Sequence, residues 1–123
     1  MRIWVALLSA AALLGACQQG PELQSFDTSA WQQDTLGCAG IRLEQLSSLM
    51  DQQQELMGWS EQTITSYLGE PDYREIYVRN QKFLIYFLEP TMDCGIDGKD
   101  NPLRLYLRFD ALGDSRELSL KNQ

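Results

Sequence analysis

The tripeptide Gly69-Glu70-Pro71 separates two regimes of hydrophobic spacing, and this change of period constrains the fold of the 123-residue chain more than any other feature. Before it, Leu43, Leu46, Leu49, Met50, Leu56 and Met57 recur at threes and fours among Glu, Gln and Asp, which predicts an amphipathic helix from Ile41 to Met57. Gly58 stands where a left-handed C-terminal residue belongs, and Trp59-Ser60-Glu61-Gln62-Thr63-Ile64 restarts a helix. Ser60 is placed to cap it, Glu61 suits its positive end and Trp59 can staple against Ile64. Gly69 and Pro71 then end this second helix, since a proline disfavours helical geometry at the residue before it.

Beyond Pro71 the period is two. Tyr73 to Arg79, Lys82 to Leu88, Leu103 to Asp110 and Ser115 to Leu120 read as strands, with Asn80-Gln81 as one tight turn and Ala111-Leu112-Gly113-Asp114 as another. Leu103, Leu105, Leu107 and Phe109 alternate with Arg104, Tyr106 and Arg108, one set for a core and one for water. Helices early and strands late predict an α+β domain, with two N-terminal helices packed on one face of a three- to four-stranded antiparallel sheet. Lys82-Phe-Leu-Ile-Tyr-Phe-Leu88 is apolar on both faces, so its second face is either covered or used. Tyr77, Tyr86, Arg104, Tyr106 and Arg108 are the candidate residues for an aromatic and basic partner-binding patch, as aromatics and arginine are enriched in binding hot spots. The alternative is that the N-terminal segment or the 89–102 connection covers that face.

The N terminus carries a different message. Arg2 is followed by a twelve-residue apolar stretch, Ile3 to Leu14, interrupted only by Ser9, and then by Gly15-Ala16-Cys17. The run is short of the roughly 20 residues that span a bilayer as a helix, and small residues lead into a cysteine, as in a bacterial lipoprotein signal peptide. That resemblance implies a signal peptide over residues 1–16, removed on processing, with Cys17 lipidated and serving as a membrane anchor. Gln18, rather than aspartate, follows Cys17, which in Gram-negative lipoproteins implies sorting to the outer membrane. Residues 17–36 are polar and aperiodic and read as a flexible tether, with Phe26 and Trp31 apolar enough to dock on the domain or on a partner. Residues 37–123 form the folded domain in this reading.

Cys38 and Cys94 are the remaining cysteines, and export to an oxidising compartment predicts a disulfide between them. Such a bridge stabilises a small domain by about 4 kcal/mol through loop-closure entropy. Two distant cysteines in a chain without histidine do not make a zinc site. Without Arg2 the chain has 9 basic and 17 acidic side chains, a net charge of −8, and no basic run that would serve nucleic acid.

Gly58-Trp59-Ser60-Glu61, Ile64 and Leu68-Gly69-Glu70-Pro71, the aromatic strand Phe83 to Tyr86 and the hairpin Leu105 to Gly113 occur in an order that resembles the SmpA/OmlA (BamE-like) family of small outer-membrane lipoproteins. The resemblance runs over residues 41–120. It implies a lipid-anchored, periplasm-facing module that supports outer-membrane protein assembly or envelope integrity, with a barrel protein or assembly factor as partner. Thr35-Leu-Gly-Cys-Ala-Gly40 stands where that family's assembly subunit has a partner-binding segment, and Cys38, Cys94 and the excursion Glu89 to Pro102 are additions. These departures imply a divergent relative that shares the fold. The same helix-and-sheet module also serves inhibitors of secreted enzymes, so an inhibitor or immunity-type lipoprotein is the second expectation.

With no histidine, Ser-His and Cys-His nucleophile pairs are excluded, and no pair of carboxylates is singled out for acid–base work. Asp93, Asp97, Asp100 and Asn101 crowd a turn-rich loop but lack the order and closing glutamate of an EF-hand. The expectation is a binding protein without cofactor or metal, and not an enzyme.

Overall fold

The computed structural model describes residues 20–95 and 98–122. Three α-helices, α1 (Thr28–Gln33), α2 (Ile41–Asp51) and α3 (Glu61–Leu68), precede four strands, β1 (Tyr73–Tyr77), β2 (Gln81–Phe87), β3 (Arg104–Phe109) and β4 (Ser115–Lys121). The strands form one antiparallel sheet in the order β1-β2-β3-β4, so the fold is α+β with its helices N-terminal to the sheet. All four strands occur within two residues of their expected limits. Cys38 and Cys94 are bonded, with Cα atoms 5.4 Å apart, and tie the turn before α2 to the loop after β2.

The register assigns the two faces of the sheet. Leu84 and Tyr86 of β2, Leu105, Leu107 and Phe109 of β3, and Leu118 of β4 lie on one face and share a core with Leu49, Leu56, Ile64 and Leu68 from the helical half. Glu61, the first residue of α3, accepts hydrogen bonds from Arg74 Nε at 2.9 Å and Lys82 Nζ at 2.7 Å, both strand residues on this face. Burial raises the Glu61 carboxyl, but these two cations outweigh it and hold the group below its ordinary value of 4.5. At the other end, Ser115 Oγ donates to the Leu56 carbonyl at 2.6 Å and accepts from Trp59 N–H at 3.0 Å, which pins the start of β4 to the link between α2 and α3.

Three expectations need correction. First, the segment before Leu36 is not a flexible tether from Gly20 onward. It contains α1, capped by the Asp27 carboxylate on Ala30 N–H at 3.1 Å, and Trp31 is wholly buried in the core, with Phe26 packed against it. Burying an indole is worth several times the entropy of fixing one residue, so one tryptophan turns a spacer into part of the domain. Residues 17–19, and Cys17 with them, lie outside the described residues.

Second, α2 ends at Asp51 and a separate 3₁₀ turn, Gln53–Leu56, replaces its expected continuation to Met57. The break lets Leu56 reach the core and leaves the Glu55 carbonyl to accept from Trp59 Nε1 at 2.8 Å. Third, Leu43 is exposed and Arg42 is buried at the start of α2, while Leu46, Leu49 and Met50 of the apolar stripe do face the core.

The α3 boundaries agree with the sequence. Ser60 caps the helix by accepting from Thr63 N–H at 3.2 Å, and Gly58 and Gly69 both have φ of +80°. Gly37 is constrained more tightly: at φ +67° a Cβ would fall 2.8 Å from the Glu89 carbonyl oxygen, so no larger residue fits without moving β2's end.

Candidate binding surface

A buried polar cluster fixes the frame on which the candidate surface is built. Arg42 pairs with Asp72 at 2.6 Å, both side chains essentially without solvent contact. Arg42 Nε donates to the Trp31 carbonyl at 3.0 Å and Nη1 also to the Phe87 carbonyl at 3.2 Å, while the guanidinium lies over the Trp31 and Tyr86 rings at 5.6 and 5.4 Å. Asp72 accepts from Leu36 N–H and Phe87 N–H, and Asp34 accepts from Ala39 N–H and Arg42 N–H, which caps α2. A buried charge is tolerated only when its hydrogen-bonding capacity is met, and this pair is well supplied with partners from both the N-terminal segment and the sheet.

Tyr86 belongs to this interior. Its hydroxyl donates to the Gly69 carbonyl at 2.7 Å, burial pushes its phenol pKa well above the ordinary value, and its ring stacks under Arg42. Tyr86 is therefore withdrawn from the candidate patch: strand alternation places it on the core face, opposite the other four residues.

Tyr77, Arg104, Tyr106 and Arg108 do share the second face, together with Phe83, Ile85 and Phe87 of β2 and Lys121 of β4. Tyr77, Phe83 and Tyr106 form an edge-to-face row with centroids 5.6 and 5.7 Å apart, and Tyr73 meets Phe87 edge-on at 6.3 Å. Cations lie on these rings: Arg104 over Phe87 at 5.2 Å, and Lys121 Nζ over Tyr106 at 4.9 Å and Phe83 at 5.7 Å. Each such contact is worth about 0.5–2 kcal/mol depending on its desolvation. Arg108 is engaged differently, by Gln81 Oε1 at 3.1 Å and Glu117 at 3.6 Å.

The 89–102 connection lies against this face, where Ile85, Phe87 and Tyr106 are buried. A groove of about 490 Å³ lies between the loop and the sheet, floored by Ile85, Phe87 and Tyr106 and walled by Tyr73, Met92 and Arg104. The loop is held by the disulfide and by Glu89, whose carboxylate takes a salt bridge from Lys99 and a 2.9 Å hydrogen bond from Leu103 N–H. Lys99 first and Leu103 N–H second draw the Glu89 carboxyl below its ordinary 4.5. Arg104 differs from Arg42 in every polar respect. Its Nε is buried with no hydrogen-bond partner, at a cost of about 1–3 kcal/mol, and it makes no ion pair among the described residues.

Lys121 and Tyr73 were not among the expected site residues. Lys121 falls one residue past the expected end of the last strand, though the alternation Glu117, Ser119, Lys121 against Leu118 and Leu120 carries the signal. Among the described residues, no group of three or more Cys, Asp or Glu side chains is placed to hold a metal ion, and Asp97 of the acidic loop lies outside them. No helix among those residues is long and apolar enough to cross a membrane. No family model, curated protein or solved structure matches the chain.

Proposed function

We propose that this chain is a lipid-anchored binding module of the cell envelope, a divergent relative of the SmpA/OmlA family, that supports outer-membrane protein assembly or envelope integrity through protein contacts. In this reading the signal peptide is removed, Cys17 carries the lipid, and the domain faces the periplasm from the outer membrane. The helices cover one face of the sheet and leave the other for a partner; no enzymatic step and no cofactor is invoked. The observation that carries the proposal is that outer face, where buried and half-buried aromatic rings bear Arg104 and Lys121, neither of which has an ion pair among the described residues. Large apolar faces with arginine and tyrosine are the usual anchors of protein interfaces.

The test is crosslinked affinity capture of the lipidated protein from detergent-solubilised membranes, with Cys17→Ala as control. Enrichment of barrel proteins or their assembly factors that depends on Cys17 is the expected result; their absence would refute the assembly role. A second reading, an inhibitor or immunity-type lipoprotein, draws support from the β1–β2 hairpin, whose tip projects Ile76, 82% exposed, beside exposed Tyr77 and Val78. One-to-one capture of a single exported enzyme would favour it.

A further inference from the structure

We infer that the side of the domain where the chain enters the fold, around Gly20 and the outward side of α3, lies directly on a zwitterionic lipid surface. This rests on the anchored-module reading, with the lipid on Cys17, and adds which surface meets the bilayer and which is turned away from it.

The chain is fixed soon after Cys17. Gly20 lies against α3, where a Cβ would stand 3.8 Å from Thr63 Cγ2, and Pro21 and Leu23 are buried. Leu23 N–H donates to the Tyr67 hydroxyl at 3.0 Å. Two glutamines, Gln45 of α2 and Gln52 just after it, then clamp the backbone. The Gln52 carboxamide accepts from Gln24 N–H at 2.6 Å and donates to the Gln24 carbonyl at 2.8 Å, and the Gln45 carboxamide does the same for Asp27 at 2.6 and 3.1 Å. Ser48, between them on α2, donates to the Gln24 and Ser25 carbonyls. A carboxamide offers an acceptor and donors in the pattern of a peptide group, so the pair holds this backbone much as a neighbouring strand would. Residues 20–27 therefore supply no slack.

Three peptide units separate Cys17 from Gly20. An extended chain gains at most about 3.6 Å per residue, so the anchor reaches no more than about 11 Å from Gly20. A domain of about 100 residues has a radius of gyration of about 13 Å, which exceeds that reach. An acylated Cys17 at the lipid interface thus brings the Gly20 side against the head groups. Ile64 and Leu68 of α3 point into the core shared with the sheet, while Gln62, Thr63 and Ser66 line a hollow with Gly20 on the helix's outward side. The outer sheet face, with Tyr77 and Tyr106, lies across that core and is turned toward the periplasm.

The chemistry of the Gly20 side selects the lipid. Its two adjoining hollows carry hydroxyl, carboxamide and carboxylate groups, with Glu22 in both and Asp51 and Glu55 in the second. No lysine or arginine among the described residues lines either one. This side lacks the basic residues that draw a protein surface to anionic lipid, and its oxygen acceptors suit the ammonium group of phosphatidylethanolamine.

The test is NMR of the full lipidated protein in bicelles of phosphatidylcholine and phosphatidylethanolamine that contain a gadolinium-chelating lipid, read as paramagnetic broadening of backbone amides. Glu22, Gln62, Thr63 and Ser66 are expected to broaden roughly threefold more than Tyr77, Tyr106 and Arg108. Twelve Gly and Ser residues inserted between Gln19 and Gly20 leave the anchor and the clamp in place, add about 20 Å of reach and should remove most of that difference. Strongest broadening at the sheet residues, equal broadening on both sides, or no effect of the insertion would overturn the orientation. Replacing part of the phosphatidylcholine by phosphatidylglycerol should weaken the broadening, and an equal or stronger effect would overturn the preference for zwitterionic lipid. Intact mass of the membrane-extracted protein reads the lipid on Cys17 separately. An unmodified Cys17 would refute the anchored module and this orientation with it, whereas a lipidated protein with its broadening on the sheet would overturn the orientation alone.

Discussion

Arg42 and Arg104 lie over adjacent rings of the same strand, Tyr86 and Phe87, on opposite faces of the sheet. The stacking is alike and the polar surroundings are not. Arg42 is closed in by one carboxylate and two carbonyl oxygens, whereas Arg104 has a ring beneath it, a buried Nε without a partner and no ion pair among the described residues. Partial burial of a cation does not by itself reveal its purpose. A guanidinium whose hydrogen bonds are made inside the fold serves the fold; one with a buried N–H unmet adds less to it.

Substitution by methionine, which keeps length and apolar contact but removes charge, separates the two. Arg42→Met should destabilise the protein by about 3–5 kcal/mol in urea unfolding, because Asp72 is left buried and unpaired. A loss under about 1 kcal/mol would mean that water relieves Asp72 and that the cluster is not the keystone described. The next largest effect is expected from replacing Cys38 and Cys94 by serine, about 2–4 kcal/mol by the same measurement. That change should also shift the Met92 and Lys99 signals that border the groove while leaving the environment of Arg42 intact. Arg104→Met should then change stability by less than about 1 kcal/mol, or raise it, since it removes an unsatisfied buried N–H. A loss as large as that of Arg42→Met would make Arg104 a structural residue.

The smallest effect concerns acid. Glu89 and Glu61 both have lowered carboxyl pKa values, so what they contribute is fully present above about pH 4.5 and is lost as pH falls through the lower folded-state values. Hydrogen exchange at Leu103 N–H, which bonds Glu89, should accelerate over that range before global unfolding. No change there would mean that the disulfide alone holds the loop.

Much of this contrast was hidden in the sequence, for separate physical reasons. The strands are legible because half-buried strands alternate, and α3 is legible because Ser60 and Gly69 punctuate it. The helix α1 is six residues long, too short to display a period, and its one sign is Asp27 as a cap. Arg42 reads as the solvent side of an amphipathic helix. Its partners Asp34 and Asp72 are 8 and 30 residues away, and no local pattern announces such a closure. The candidate patch was readable as alternation of Arg104, Tyr106 and Arg108, but Tyr86 was assigned to it because β2 is apolar on both faces and only the register distinguishes them.

The sheet order copies the order of the strands along the chain. Each strand can therefore pair with the one just before it, by short closures at 78–80 and 110–114 and a longer one through 88–103, which are the inexpensive kind of contact in folding. The N-terminal segment uses both kinds of contact: α1 packs on the nearby α2 and α3, and Trp31 also joins the core of the sheet. Trp31 shares the core with Leu84, Leu105 and Leu107, and its carbonyl accepts from Arg42, which is also held by Asp72 and the Phe87 carbonyl. The core that encloses Trp31 is thus complete only once residues of β3 and β4 have been synthesised.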